Sequence, residues 1–155
     1  MIPKLHLQAL TQICYSLDGA QFAWAVTGSL GLAIQGMPVE VHDIDLQTSQ
    51  AGAYLIEGLF PECVIEPVHH KASPRIRSHF GALEIEGVRI EIMGGMQKLL
   101  ADAKWEQPVD VELYLRWIHF EGLQVPVLPL EYEHAAYLKM GRLEKAKLIG
   151  EWLEK

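Results

Sequence analysis

Residues 4 to 17 carry apolar side chains at Leu5, Leu7, Leu10, Ile13, Cys14 and Leu17. That spacing is close to the helical repeat, so it predicts an amphipathic helix. Phe22 to Val26 is a short apolar run ending at Thr27-Gly28-Ser29. It predicts a buried strand, after which Ser29 caps a short helix, Leu30 to Gln35, stopped by Gly36 and Pro38. Asp43 to Leu46 begins a second strand, residues 50 to 59 read as a helix, and Val64 to Val68 as a third strand. Ile76 to Ile85 and Val88 to Met93 flank Glu86-Gly87, a hairpin pattern with glycine at the second turn position. Met96 to Ala103 reads as a short helix. Alternation at Val111, Leu113, Leu115 and Trp117, then at Leu123, Val125 and Val127, predicts another hairpin over 109–128 around Glu121-Gly122. The last stretch, 130–155, is helical with a break at Gly141. Strands mixed with helices, several paired as hairpins, indicate an α+β fold: a mixed β-sheet flanked by helices, within one domain over 1–155.

Composition narrows the function classes. The chain has 155 residues, half of them hydrophobic, enough for one real core. No apolar run approaches the ~20 residues of a membrane span. The first residues lack the basic segment and cleavage site of a signal peptide. The two cysteines, Cys14 and Cys63, form no paired motif and suit a reducing cytoplasm. A formal net charge of −7 argues against broad nucleic-acid binding, which needs a basic surface. A polyanionic ligand would have to be met by metal ions or by locally clustered Arg and Lys.

Three pieces of sequence carry candidate chemistry. In Val26-Thr27-Gly28-Ser29 a strand runs into a glycine and a helix start, where free backbone N–H groups and the helix dipole favour phosphate oxygens. In His42-Asp43-Ile44-Asp45-Leu46, side-chain alternation puts Asp43 and Asp45 on one face and Ile44 and Leu46 on the other. Two residues of strand rise separate the aspartate Cα atoms by about 6.5–7 Å, a spacing from which carboxylates can converge on a hard cation. In Val88-Arg89-Ile90-Glu91-Ile92 the same alternation sets Glu91 opposite the apolar face. If this strand neighbours the aspartate strand, all three acids meet. Each piece alone also has a structural reading: a common turn, a half-solvated strand, and a surface glutamate paired with an arginine.

Taken in order, Gly28-Ser29, a thirteen-residue spacer, Asp-Ile-Asp-Leu and a later strand with a central acid resemble the nucleotidyltransferase superfamily related to DNA polymerase beta. The pattern is most similar to the minimal nucleotidyltransferases, which include antibiotic adenylyltransferases and toxin–antitoxin nucleotidyltransferases. The resemblance spans residues 22 to 93 and implies that Gly28 and Ser29 hold the β- and γ-phosphates of a nucleoside triphosphate. It implies that Asp43, Asp45 and Glu91 bind Mg²⁺ or Mn²⁺, and that Glu91 accepts the acceptor hydroxyl's proton. The implied reaction moves a nucleoside monophosphate, AMP from ATP being the expected case, to a small molecule, a protein or an RNA end. The alternatives are a non-catalytic binding module of the same fold and a toxin–antitoxin component.

Arg75 and Arg77 alternate before the hairpin and could grip phosphate oxygens, or form a solvated basic rim. Lys139 and Arg142, three apart, would share a face of the last helix, which could also make a homodimer. His42, His69 and His70 lack the spacing or cysteine partners of a zinc site. Gly28-Ser29-Leu30-Gly31 is not a nucleophile elbow.

Overall fold

The computed structural model describes residues 2–155. Its elements in chain order are helix α1 (Lys4–Ser16), strand β1 (Trp24–Thr27), α2 (Gly28–Ile34), β2 (Ile44–Thr48) and α3 (Gln50–Leu59). After a 3₁₀ turn at Pro61–Cys63 follow β3 (Val64–Ala72), β4 (Ile76–Ile85) and β5 (Val88–Lys98). The chain finishes with α4 (Val111–Tyr114), β6 (Arg116–Phe120), β7 (Leu123–Val127), α5 (Leu130–Lys139) and α6 (Leu143–Leu153). The strands form one seven-stranded sheet in the order β3-β4-β5-β2-β1-β7-β6. It is mixed: β2 pairs parallel with β5 and β1 parallel with β7, while the remaining neighbours are antiparallel. The α+β architecture expected from the sequence is the one observed.

Side-chain alternation sorts the sheet into two faces. On one, Val26, Leu46 and Ile92 lie abreast, as do Ile44 and Ile90, all fully buried. Ala9, Leu10 and Ile13 of α1 and Ala53 and Ile56 of α3 close over them as the main core. On the other face, Leu32, Met37, Leu130, Tyr137, Ala146 and Ile149 pack α2, α5 and α6 together. Ser49 starts α3 by accepting a hydrogen bond from the Gly52 amide at 2.9 Å. Cys14 and Cys63 are both free, and burial pushes the Cys14 thiol up to about 11, so it is unreactive. Among the described residues, no helix is long and apolar enough to cross a membrane.

Several sequence-based expectations are corrected here. Met96 to Ala103 is not a helix: β5 continues to Lys98, because β4 supplies hydrogen-bond partners as far as Ile76 opposite Lys98. The alternation at 111–115 is not a strand. Val111–Tyr114 forms one helical turn whose first residues are capped by the Asp110 carboxylate, and Leu113 points into solvent. The strand of that hairpin starts at Arg116 and pairs with β7 across Glu121-Gly122 as expected. α2 begins at Gly28, so Ser29 lies inside its first turn and does not cap it. Lys139 and Arg142 do not share a helix: α5 ends at Lys139, Gly141 turns with φ +74°, and Arg142 precedes α6.

Candidate active site

The strand register assembles the site. Thr27 of β1 stands opposite Asp45 of β2, and Asp45 stands beside Glu91 of β5. Thr27, Asp45 and Glu91 therefore form one row across three adjoining strands, on the face away from the main core. Asp43 lies just before β2, one pleat along, next to Arg89. The neighbourhood inferred from alternation is thus realised in space: Glu91 shares a face with the aspartates, and a parallel β2–β5 pair makes them adjacent.

Gly28 fits this row for two reasons. Its φ is +66°, a left-handed conformation that L side chains rarely adopt. A Cβ there would collide with the Asp45 carboxylate, which comes up against the Gly28 backbone. The close approach at this glycine is therefore made by the protein's own carboxylate. Ser29 contributes by positioning: its Oγ accepts the backbone N–H of His42 at 2.9 Å, tying the segment that delivers Asp43 to the start of α2.

The electrostatics are those of an acidic cluster short of cations. Burial pushes the Asp45 carboxyl up to about 7, with Glu91, Asp43 and Glu133 adding repulsion and Lys145 opposing it. Glu133, on α5, was not singled out from the sequence. It is only 4% exposed, and burial pushes it up to about 7 as well. The Thr27 hydroxyl donates a hydrogen bond to its Oε1, joining α5 to the end of β1. Its signal was present in the sequence, since Leu130, Glu133 and Tyr137 recur at helical spacing and put an acid on an apolar stripe.

Two basic groups face these acids. Arg89 Nε donates to Glu91 Oε2 at 2.9 Å and lies 3.8 Å from Asp43 Oδ2. Lys145 of α6 is held below the usual lysine range by burial and by Arg142, while Asp45 and Glu133 work to restore its charge. Arg142 lies over the Tyr137 ring at 5.0 Å. An open depression of about 540 Å³ is lined by Gly141, Arg142, Leu143, Lys145 and Leu148.

The two arginines proposed from sequence separate. Arg75 reaches across to the α5–α6 break, its guanidinium next to Gly141. Arg77 pairs in register with Gln97, six residues along β5 from Glu91, or roughly 20 Å of strand. Its Nε donates to Gln97 Oε1 at 3.0 Å and its guanidinium stacks over Trp105 at 4.3 Å. Arg77 is therefore committed to packing away from the acids. Lys139 pairs at 3.7 Å with Glu106 instead.

Among the described residues, no three His, Cys, Asp or Glu side chains stand close enough together to hold a metal ion ready-made. The donor chemistry nevertheless suits a hard cation. The convergent groups are carboxylate oxygens, and their mutual repulsion at Asp45 is what a divalent ion would relieve. His69 is taken up by Glu66 at 2.8 Å and His70 packs edge-on to His79.

Comparison with known proteins places this geometry. The family model for aminoglycoside-2''-adenylyltransferase matches residues 9–149. The crystal structure of a provisionally assigned nucleotidyltransferase from Thermotoga maritima is 49% identical, covering 99% of this chain and 96% of that one, with a TM-score of 0.88. Two more distant structures share the fold. ANT(2'')-Ia in complex with adenylyl-2''-tobramycin is 13% identical with a TM-score of 0.60, over 95% of this chain and 88% of that one. The lincomycin-bound lincosamide adenylyltransferase LnuA is 16% identical with a TM-score of 0.52, over 80% of each chain. No curated protein sequence matches the chain. With an acid row built on β2 and β5 beside a glycine-started helix, and with the family model spanning nearly its whole length, the chain belongs to the aminoglycoside-2''-adenylyltransferase family, within the nucleotidyltransferase superfamily.

Proposed function

We propose that this protein transfers a nucleoside monophosphate, AMP from ATP, to a hydroxyl of a small-molecule acceptor. The observation that carries the reading is the register of β2 and β5, which sets Asp45 beside Glu91 one residue from Gly28's row. Asp43, Asp45 and Glu91 would hold Mg²⁺ or Mn²⁺. When bound, the ion supplies charge neutralisation to the triphosphate and to the oxygens that attack and leave.

The chain's own groups account for the rest. The first amides of α2, at Gly28 and Ser29, would meet a phosphate where the Asp45 carboxylate now comes up against Gly28. Lys145 on α6, acting on Asp45 and Glu133, would meet the phosphates from the other side. The acceptor oxygen attacks the α-phosphorus in line, the bond to the β-phosphate's bridging oxygen breaks, and pyrophosphate leaves. The Glu91 carboxylate takes the acceptor's proton. Positioning and charge neutralisation do most of this catalysis. The match to the aminoglycoside-2''-adenylyltransferase family model supports a small-molecule acceptor. The Arg89 contacts to Glu91 and Asp43 favour a second reading, a non-catalytic binding module in which an arginine has taken the cation's place.

The test is Mg²⁺-dependent binding of ATP by calorimetry. We expect binding in the wild type and its loss in Asp43→Asn/Asp45→Asn, with transfer of label from α-labelled ATP to added small molecules. A wild type that binds no nucleotide with Mg²⁺ or Mn²⁺ leaves only the binding-module reading.

A further inference from the structure

Among the described residues, Arg89 is the basic group in direct contact with Asp43 and Glu91. It sits on the same face of β5 as Glu91, donates to that carboxylate at 2.9 Å, and lies 3.8 Å from Asp43. Two of the three carboxylates that the metal reading requires are thus partnered by a guanidinium. Arg89 is not trapped there, since its side chain is 39% exposed. Other acceptors lie within its reach. Glu84 stands directly across from it in the β4–β5 register, and Glu66 of β3 is close enough to reinforce its charge. Glu84 is exposed, and Glu66 currently holds only His69 and a loose Lys71 at 3.4 Å.

We infer that Arg89 is an internal counter-ion that must leave Glu91 before the acids can take a divalent cation, keeping the nucleotide-free site closed to free metal. The inference rests on the metal-site reading of the acid cluster. Its logic is competition. Arginine holds a carboxylate through directional N–H bonds, and the same lone pairs are what a hard cation needs. When a triphosphate brings its metal, the released guanidinium passes to Glu84 or Glu66 and the cluster opens.

The experiment is Mn²⁺ titration of the nucleotide-free protein, followed by the loss of free-ion EPR signal. Arg89→Met should bind Mn²⁺ about tenfold more tightly than wild type, with Arg89→Lys in between, as removal of a close like-charged competitor predicts. Equal or weaker binding by Arg89→Met, alongside calorimetric binding of Mn²⁺·ATP by wild type, overturns the counter-ion role and spares the metal site. No calorimetric binding of Mn²⁺·ATP by wild type, together with no Mn²⁺ uptake by Arg89→Met, overturns both. A measurement on the unsubstituted protein covers the case of a variant that misfolds. The Arg89 Nε–H resonance should shift on addition of Mg²⁺ and ATP, as the guanidinium exchanges Glu91 for Glu84 or Glu66. A resonance unchanged by Mg²⁺ and ATP, at concentrations where calorimetry shows binding, also overturns the inference.

Discussion

At the scale of single residues, Gly28 and Glu133 constrain the site most tightly. Gly28→Ala forces a left-handed backbone onto a Cβ and pushes that Cβ into Asp45. The backbone term alone costs about 1–2 kcal/mol, and the collision adds to it. Urea denaturation should show that loss, and a midpoint unchanged from wild type would mean that the α2 start re-forms without strain. Glu133 governs a pH dependence. Its folded pKa is about 7, above the ordinary glutamate value of roughly 4.3. Between those values the folded chain binds more protons than the unfolded one, so stability falls as pH rises through this window and stays lower above it. Asp45, also raised to about 7, acts with the same sign. In metal-free buffer the protein should therefore be more resistant to urea at pH 5 than at pH 8. Glu133→Gln keeps an acceptor for Thr27 and should flatten that difference; a slope identical to wild type would assign it to other groups.

At the scale of elements, the two ends of β5 do different work. Its first half carries Arg89 and Glu91 into the site, and its second half is an anchor. Lys98 is only 3% exposed and pairs with Glu106 at 2.8 Å, where Glu106 also accepts the Lys98 amide. Lys98→Met leaves Glu106 with the backbone amide of position 98 and the looser Lys139 ammonium at 3.7 Å, so it should cost about 2 kcal/mol. Lys98→Met/Glu106→Leu should recover much of that, measured by the same denaturation. Full additivity of the two single losses would show that the pair is not coupled. α5 and α6 form the other functional unit. Gly141 lets the chain turn between them, the Thr27–Glu133 bond fastens α5 to β1, and α6 then holds Lys145 over Asp45. Lys145→Ala should accordingly weaken ATP binding more than tenfold while leaving urea stability within about 0.5 kcal/mol.

At the scale of the whole molecule, the chain carries a net charge of −7 and yet is read as a nucleotide enzyme. Four of the acids, Asp43, Asp45, Glu91 and Glu133, act on one another where the sheet meets α5, and cations are supplied from the last helix and from Arg89. Helical and hairpin periodicities were legible along most of the chain because they are local: α1, α3, the β4–β5 hairpin and the Gly141 break all follow from spacing and turn residues. The Asp43, Asp45 and Glu91 alternation was legible for the same reason. Of the two misread segments, 96–103 was decided by a partner strand and 111–115 by a local cap that outweighed its alternation. For the first, β4 offered free hydrogen-bonding groups. For the second, Asp110 capped a turn where alternation alone suggested a strand.

The sequence by itself therefore determined which residues face the same way along the strands that carry the acids and where most of the helices lie, since backbone stereochemistry repeats every two or 3.6 residues. Only the tertiary structure decided which strands became neighbours. That choice set Asp45 beside Glu91, buried Glu133 against Thr27, gave Arg89 to the acids and took Arg77 away to Gln97 and Trp105. The reason is that contacts between residues far apart in the chain depend on how apolar faces close over one another, and no local period encodes that.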